Sequence, residues 1–313
     1  MRPRRRDGRR FRFDDGASAP IFIAVTHWKT TRFEIDLAEP RVMGIVNLTP
    51  DSFSDGDPGL TPARALATCE RLLAEGADIL DLGGESSRPG ADPVDLETEL
   101  ARVLPVLREA VRFGCPVSVD TTKPEVMRAA LDLGADIVND IGALRAPGAL
   151  EAVAAHPTCG VCLMHMRGTP RSMQQQTDYA DLLGEIGAFL GERVGAVEAA
   201  GVARERIVVD PGVGFGKTPA QNFELLSRQQ ELLALGVPIL AGWSRKSTLA
   251  RLAGVWDTAP ADRTPAQQAR LAAASVAASL LAVQRGARIV RVHDVAATVA
   301  GLAVWKAAPA VRR

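Results

Sequence analysis

Cysteine is scarce in this sequence. Cys69, Cys115, Cys159 and Cys162 are too few and too scattered for a disulfide framework, which predicts a reducing, cytoplasmic setting. The spacing of Cys159 and Cys162 invites zinc or redox chemistry, but no second pair follows. The intervening stretch also reads as a buried strand, on which residues three apart face opposite sides. Long apolar runs are missing too. No stretch approaches the roughly 20 residues of a membrane span, and the run over 21–25 is too short for a signal-peptide core. Nor is there an excess of either charge. Lys+Arg and Asp+Glu both number 37, so nothing pulls the whole chain toward nucleic acid or a membrane surface. The one local imbalance is the arginine run Arg2, Arg4, Arg5, Arg6, Arg9, Arg10 and Arg12, with Asp14 and Asp15 directly behind it. Residues 1–30 therefore read as a basic, solvated extension rather than a nucleic-acid arm or transit peptide. The catalytic domain is expected over 31–313.

Two motifs are absent as well. No G-x-G-x-x-G follows the first strand, which argues against an open doubly wound sheet. The glycine-rich run from Gly212 to Thr218 resembles a phosphate loop, but the first glycine of the Walker spacing would fall on Pro211. Its glycines read instead as letting backbone and Phe215 approach a ligand, with Thr218 and Pro219 starting a helix.

What is present is alternation, in a chain whose 47% apolar content is ordinary for a globular protein. Short apolar runs over 42–47, 78–83, 116–120, 136–139, 160–165, 207–210, 238–242 and 288–293 predict strands. Helical patterns over 62–75, 97–113, 124–133, 147–155, 180–200, 219–235 and 264–285, and one after Asp294, separate them. A glycine closes a helix and opens the next strand in the same way at GADIL (76–80), GADIV (134–138) and GARIV (286–290). Strand–helix alternation implies a parallel sheet, and eight such units imply a single α/β domain closed as a (β/α)8 TIM barrel. The segment 32–37 is expected to form a strand closing the barrel's bottom.

Polar residues stand at the C-terminal ends of these strands: Asn47, Glu85, Asp120, Asn139 with Asp140, His165, Asp210, Ser244 and His293. A barrel brings such ends to one mouth, where its catalytic groups collect. Asp120, Asn139 and Asp210 can pair with the donor–acceptor edge of a flat heterocycle, and Lys246 can meet a ring carbonyl. Arg291 and His293, two apart on a strand, share a face. With Asn47 and the helix beginning at Asp294 they predict an anion cradle, a salt bridge being the alternative for Arg291. Two polar loops, over 48–56 and 84–90, are candidate lids. No nucleophile–base pair is evident.

These segments resemble the dihydropteroate synthases, enzymes of folate biosynthesis that sulfonamides target. The resemblance runs from about 41 to 305. It is carried by MGIVNLTPDSFSDG (43–56), GGESSRPG (83–90), SVDTTK (118–123), NDI (139–141), LMHMRGTP (163–170), DPGVGFGK (210–217), GWSRKS (242–247) and RVHD (291–294). It implies a transferase joining 6-hydroxymethyl-7,8-dihydropterin diphosphate to 4-aminobenzoate, with release of diphosphate. It implies Mg²⁺ and a homodimer, with small-molecule substrates and neither nucleic acid nor membrane as partner. By resemblance Asp120, Asn139, Asp210 and Lys246 hold the pterin, with Met164 and Phe215 packing on it. Asn47 meets Mg²⁺ or the diphosphate, and Ser87, Arg88, Arg291 and His293 bind diphosphate oxygens. Phe53, Pro89, Phe215 and Ser247 form the 4-aminobenzoate pocket. Asp120, Lys246, Arg291 and His293 are the catalytic set this implies, on an SN1-like path whose cation Asp120 stabilises.

Three positions depart from the family. Ser87 stands for the usual threonine and Asp57 for a glycine, while 262–275 lacks the usual pattern, which puts lid closure and helix packing there in question. A catalytically silent pterin-binding paralogue, and a methyltetrahydrofolate:corrinoid methyltransferase-type barrel, are the other readings these residues allow.

Overall fold

The computed structural model describes residues 25–49 and 61–308. Phe53 and Asp57 lie outside the described residues, as does the end of the first candidate lid. Eight parallel strands close a barrel: β3 (Arg41–Asn47), β4 (Ile79–Gly83), β5 (Val117–Asp120), β6 (Ile137–Asp140), β7 (Gly160–Met164), β8 (Ile207–Asp210), β9 (Ile239–Ala241) and β10 (Ala287–Val292). They follow chain order around the barrel, with β10 pairing both β9 and β3.

Helices α1 (Pro62–Ala74), α2 (Leu96–Ala110), α3 (Pro124–Asp132), α4 (Ala149–Ala155), α5 (Leu182–Ala199), α6 (Pro219–Arg228), α7 (Ser247–Leu252), α8 (Pro265–Gln284) and α9 (Val295–Ala307) surround it. Their starts follow the sequence signals. Thr61, Thr218 and Thr264 each cap a helix whose first residue is proline, and the last two complete capping boxes with Gln221 and Gln267. The short α7 was not expected, because its six residues carry no periodicity long enough to read. The segment 262–275 is mostly exposed, with Leu271 and Ser275 buried. It holds the capped start of α8, and Ser275 Oγ accepts the Arg245 N–H at 3.0 Å.

The bottom of the barrel is closed by a hairpin rather than by one strand over 32–37. β1 (His27–Lys29) and β2 (Glu34–Asp36) pair antiparallel, and β1, only three residues long, leaves little alternation to read. Trp28 is fully buried among Ile35, Met43, Ile137, Val208 and Leu240, inside the barrel. Its indole N–H donates to Arg206 O at 2.9 Å. Arg206 in turn donates to the carbonyls of His156, Pro157 and Cys159, so a buried guanidinium is satisfied without a carboxylate. Cys159 joins the layer between strands and helices while Cys162 joins the barrel interior, so the two thiols face apart.

Candidate active site

Along each barrel strand every second side chain points inward. The lowest inward layer is apolar, with Met43, Ile79, Ile137, Cys162, Val208 and Leu240. One step toward the mouth the character changes, because these positions carry Asp81, Asn139 and Arg291. Arg291 on β10 donates from Nε to Asp81 Oδ2 at 2.6 Å and from Nη2 to Asp120 Oδ2 at 2.8 Å. Asn139 Nδ2 reaches the same Asp81 oxygen at 3.3 Å. Strands β4, β5, β6 and β10 thus meet in one buried network. Asp81, with 0% exposure, is its hub and had no place in the sequence-based site. The available signal was a charged residue inside an apolar strand, between Leu80 and Leu82.

Burial pushes the Asp120 carboxyl up to about 7, with Arg291 opposing and Asp81 reinforcing the shift. Burial works against the Arg291 charge, but Asp81 and Asp120 outweigh it and raise its pKa. The anion cradle expected of Arg291 and His293 is therefore only partly assembled. Arg291 is engaged by carboxylates, the salt-bridge alternative, while His293 Nδ1 lies 3.0 Å from Ser244 Oγ.

That contact is the nucleophile–base spacing the sequence did not reveal, since it joins two strand ends 49 residues apart. Ser244 Oγ also accepts the His293 backbone N–H at 3.1 Å. Ser244 Oγ can donate to Nδ1 or accept from it, according to the tautomer, and in either case the contact orients the ring. Burial, then nearby Arg245 and Arg291, hold His293 far below its usual pKa.

Across the mouth, Asp210 ends β8, and its Oδ1 accepts the Gly212 N–H at 2.7 Å. Burial raises its pKa, against that hydrogen bond and the Lys246 charge. Lys246 sits with Nζ 4.1 Å from the centre of the Phe215 ring, and burial lowers its pKa to about 8 despite Asp210. Phe215 closes an apolar wall with Met164, Met166, Met173 and Ile141.

The turn that presents Phe215 admits only glycine at its start. Gly212 has φ +70°, and a Cβ there would meet His165 O at 1.9 Å. Lys217 then folds back beneath the turn and donates to Gly212 O at 2.9 Å and Phe215 O at 3.1 Å. Its Nζ also lies 3.0 Å from His165 Nδ1. Burial lowers Lys217 to about 7, and burial followed by the Lys217 charge lowers His165 to about 2. His165, expected at the rim, thus supports this turn.

The second candidate lid is tethered at its root. Lys123 pairs with Glu85 of the loop and, at 2.5 Å, with the buried Glu99 of α2, while Arg102 donates to Gly84 O at 2.9 Å. Ser87 is half-buried, and Arg88 and Pro89 are exposed. Between this loop and the strand ends lies a cavity of about 310 Å3, lined by Ser87, Asp120, Thr121, Ile141, Met166 and Pro170. Ser247 is half-buried at the first turn of α7, and Asn47 is half-buried at the end of β3. Among the described residues no group of three or more His, Cys, Asp or Glu is placed to hold a metal.

A mouth with carboxylates, an amide and an ammonium above an apolar wall can hold a flat heterocycle by its donor–acceptor edge. The guanidinium at its centre can meet an anion.

Comparison with known proteins supplies the context. A model of the pterin binding enzyme family matches residues 43–293. The dihydropteroate synthase of Neisseria meningitidis serogroup C is 50% identical over 283 residues, which is 90% of this chain and 96% of that protein. The structure of Xanthomonas albilineans dihydropteroate synthase with 4-aminobenzoic acid superposes with a TM-score of 0.80 at 51% identity, covering 89% of this chain and 96% of that one. A second structure of that enzyme, in complex with 7,8-dihydropteroate, gives 0.78 at 48% identity over 90% and 99%.

Proposed function

Since the chain belongs to the family of pterin-binding enzymes, we propose that it is a transferase with dihydropteroate synthase activity. It joins 6-hydroxymethyl-7,8-dihydropterin diphosphate to 4-aminobenzoate and releases diphosphate. The observation that carries this reading is the inward-facing set Asp120, Asn139, Asp210 and Lys246 above the Met164–Phe215 wall, with the Arg291 guanidinium at its centre. The catalytic domain is the barrel, expected over 31–313.

The roles follow from the chemistry of the groups. Asn139, Asp210 and Lys246 hold the pterin edge, and Met164 and Phe215 pack on its face. Ser87, Arg88, Arg291 and His293 take the diphosphate, with the His293 ring oriented by Ser244. Phe53, Pro89, Phe215 and Ser247 receive 4-aminobenzoate. As the C–O bond to diphosphate breaks, positive charge on the exocyclic carbon spreads into the electron-rich pterin. The Asp120 carboxylate, in a site shielded from water, is the anion that stabilises it. The neutral arylamine then attacks this carbon and sheds a proton. No side-chain nucleophile is needed, and the Ser244–His293 pair acts as an orienting contact.

Asn47 offers one amide oxygen. That fits Mg²⁺ carried in with the diphosphate, which keeps phosphate and water oxygens as most of its ligands. Such an ion would offset charge on the leaving group. We place the protein in the cytoplasm as a homodimer.

The test is a diphosphate-release assay with purified protein, pterin diphosphate, Mg²⁺ and 4-aminobenzoate, with mass detection of 7,8-dihydropteroate. Product that requires both substrates is expected. Pterin diphosphate that binds but yields no product would identify a silent paralogue.

A further inference from the structure

We propose that Asp81 is a positioning residue that lets Arg291 hand Asp120 over to the substrate when diphosphate binds. The inference rests on the synthase reading and extends it to a residue that touches neither substrate in that reading. Asp81 lies one inward layer below the mouth and has 0% exposure, so water cannot take its place. It grips Arg291 through Nε at 2.6 Å, whereas the outer nitrogen Nη2 is held at 2.8 Å by Asp120. The two carboxylates thus hold different corners of one planar fork.

The charges do not balance. Buried Asp81 and half-buried Asp120 share one guanidinium, so whichever Arg291 leaves loses its ion-pair partner. Diphosphate competes for the outer corner, because that corner faces the mouth. When Nη2 turns to a phosphate oxygen, the Nε bond to Asp81 keeps the guanidinium inside the site. Asp120 then exchanges its Arg291 partner for the positive charge developing on the exocyclic carbon, and that charge keeps the carboxylate ionised. Capture of the leaving group and exposure of the stabilising anion become a single event. Without the Asp81 charge, Asp120 is the only carboxylate left to hold Arg291. Diphosphate must then break the sole ion pair of a half-buried guanidinium, and the gain from binding it falls.

The experiment compares binding of 6-hydroxymethyl-7,8-dihydropterin diphosphate with that of the pterin alcohol lacking diphosphate, by calorimetry. It uses the wild-type protein, Asp81→Asn, Arg291→Met and the double variant. The wild-type preference for the diphosphate form is expected to fall at least about tenfold in Asp81→Asn, the scale of one hydrogen bond to a charged group. Binding of the alcohol should stay within about threefold. The double variant should show the same preference as Arg291→Met alone, because Asp81 acts only through Arg291. Equal losses for both ligands in Asp81→Asn, or additive losses in the double variant, would overturn the proposal. If Arg291→Met does not fold, the two-ligand comparison in Asp81→Asn decides by itself. A wild-type protein that forms no dihydropteroate overturns the functional reading, and this inference with it.

Discussion

At the scale of single residues, the site is governed by burial acting on charge. In the proposed reaction Asp120 stabilises a cation only when ionised, and burial raises its pKa to about 7. Replacing it by asparagine keeps shape and hydrogen bonds but removes the charge. We expect kcat to fall about 10²–10³-fold while pterin affinity falls less than about tenfold, as measured by steady-state kinetics beside direct binding. Equal losses in both would remove the electrostatic role. The directions of the shifts also define a pH profile. Asp120, raised to about 7, is protonated and ineffective below that pH, so kcat/KM rises with pH up to it. Lys246, lowered to about 8, loses its charge above that pH, so kcat/KM falls again. A narrow bell with its optimum between the two limbs is expected, and a profile flat from about pH 5 to 8 would refute it. Asp120, Asn139, Asp210 and Lys246 were legible because each sits at or just beyond a strand end, a place known from periodicity alone. Asp81 was not. Its importance comes from Arg291, 210 residues away, and pattern along one strand carries no information about a partner across the barrel.

At the scale of elements, the Gly212–Lys217 turn shows how a buried lysine replaces a missing ladder. Lys217 binds two turn carbonyls, so its removal should loosen Phe215 and with it the apolar wall. Its stability contribution has a definite sign. With its pKa lowered to about 7 in the folded protein and near 10.4 when unfolded, Lys217 is charged in both states below pH 7, where the burial penalty is complete. Between pH 7 and about 10 the folded protein binds fewer protons than the unfolded chain, so stability rises with pH. Lys217→Met removes this dependence. The variant should therefore melt lower than the parent, by a margin that widens from pH 7 to pH 9; a constant margin would show that Lys217 stays charged in the folded protein, as it does in the unfolded chain. Elements of this size also mark what sequence reading reaches. Proline-started, threonine-capped helices announce themselves, as at Thr264, whereas α7 and β1 are fixed by what they pack on.

At the scale of the whole molecule, the two ends of the barrel divide the labour. The mouth holds the charged network and the loops, and the opposite end is sealed by Trp28. Trp28→Ala should cost about 3–5 kcal/mol of stability through the cavity it opens. It should leave kcat at 25 °C within about twofold, because the apolar layer lies between it and the site. Thermal melting and the assay on the same preparation check this, and a large loss of turnover in a still-folded variant would mean the ends are coupled. That seal also sets an order of assembly. The Trp28 indole bonds to a carbonyl 178 residues further along the chain. A ribosome adding about 5–20 residues per second delivers that carbonyl roughly 10–35 s after the tryptophan. Throughout that interval the indole has no binding site to enter, so the first segment of the barrel to be made is among the last to be locked, and the nascent chain carries an unsheltered tryptophan for a chaperone to hold.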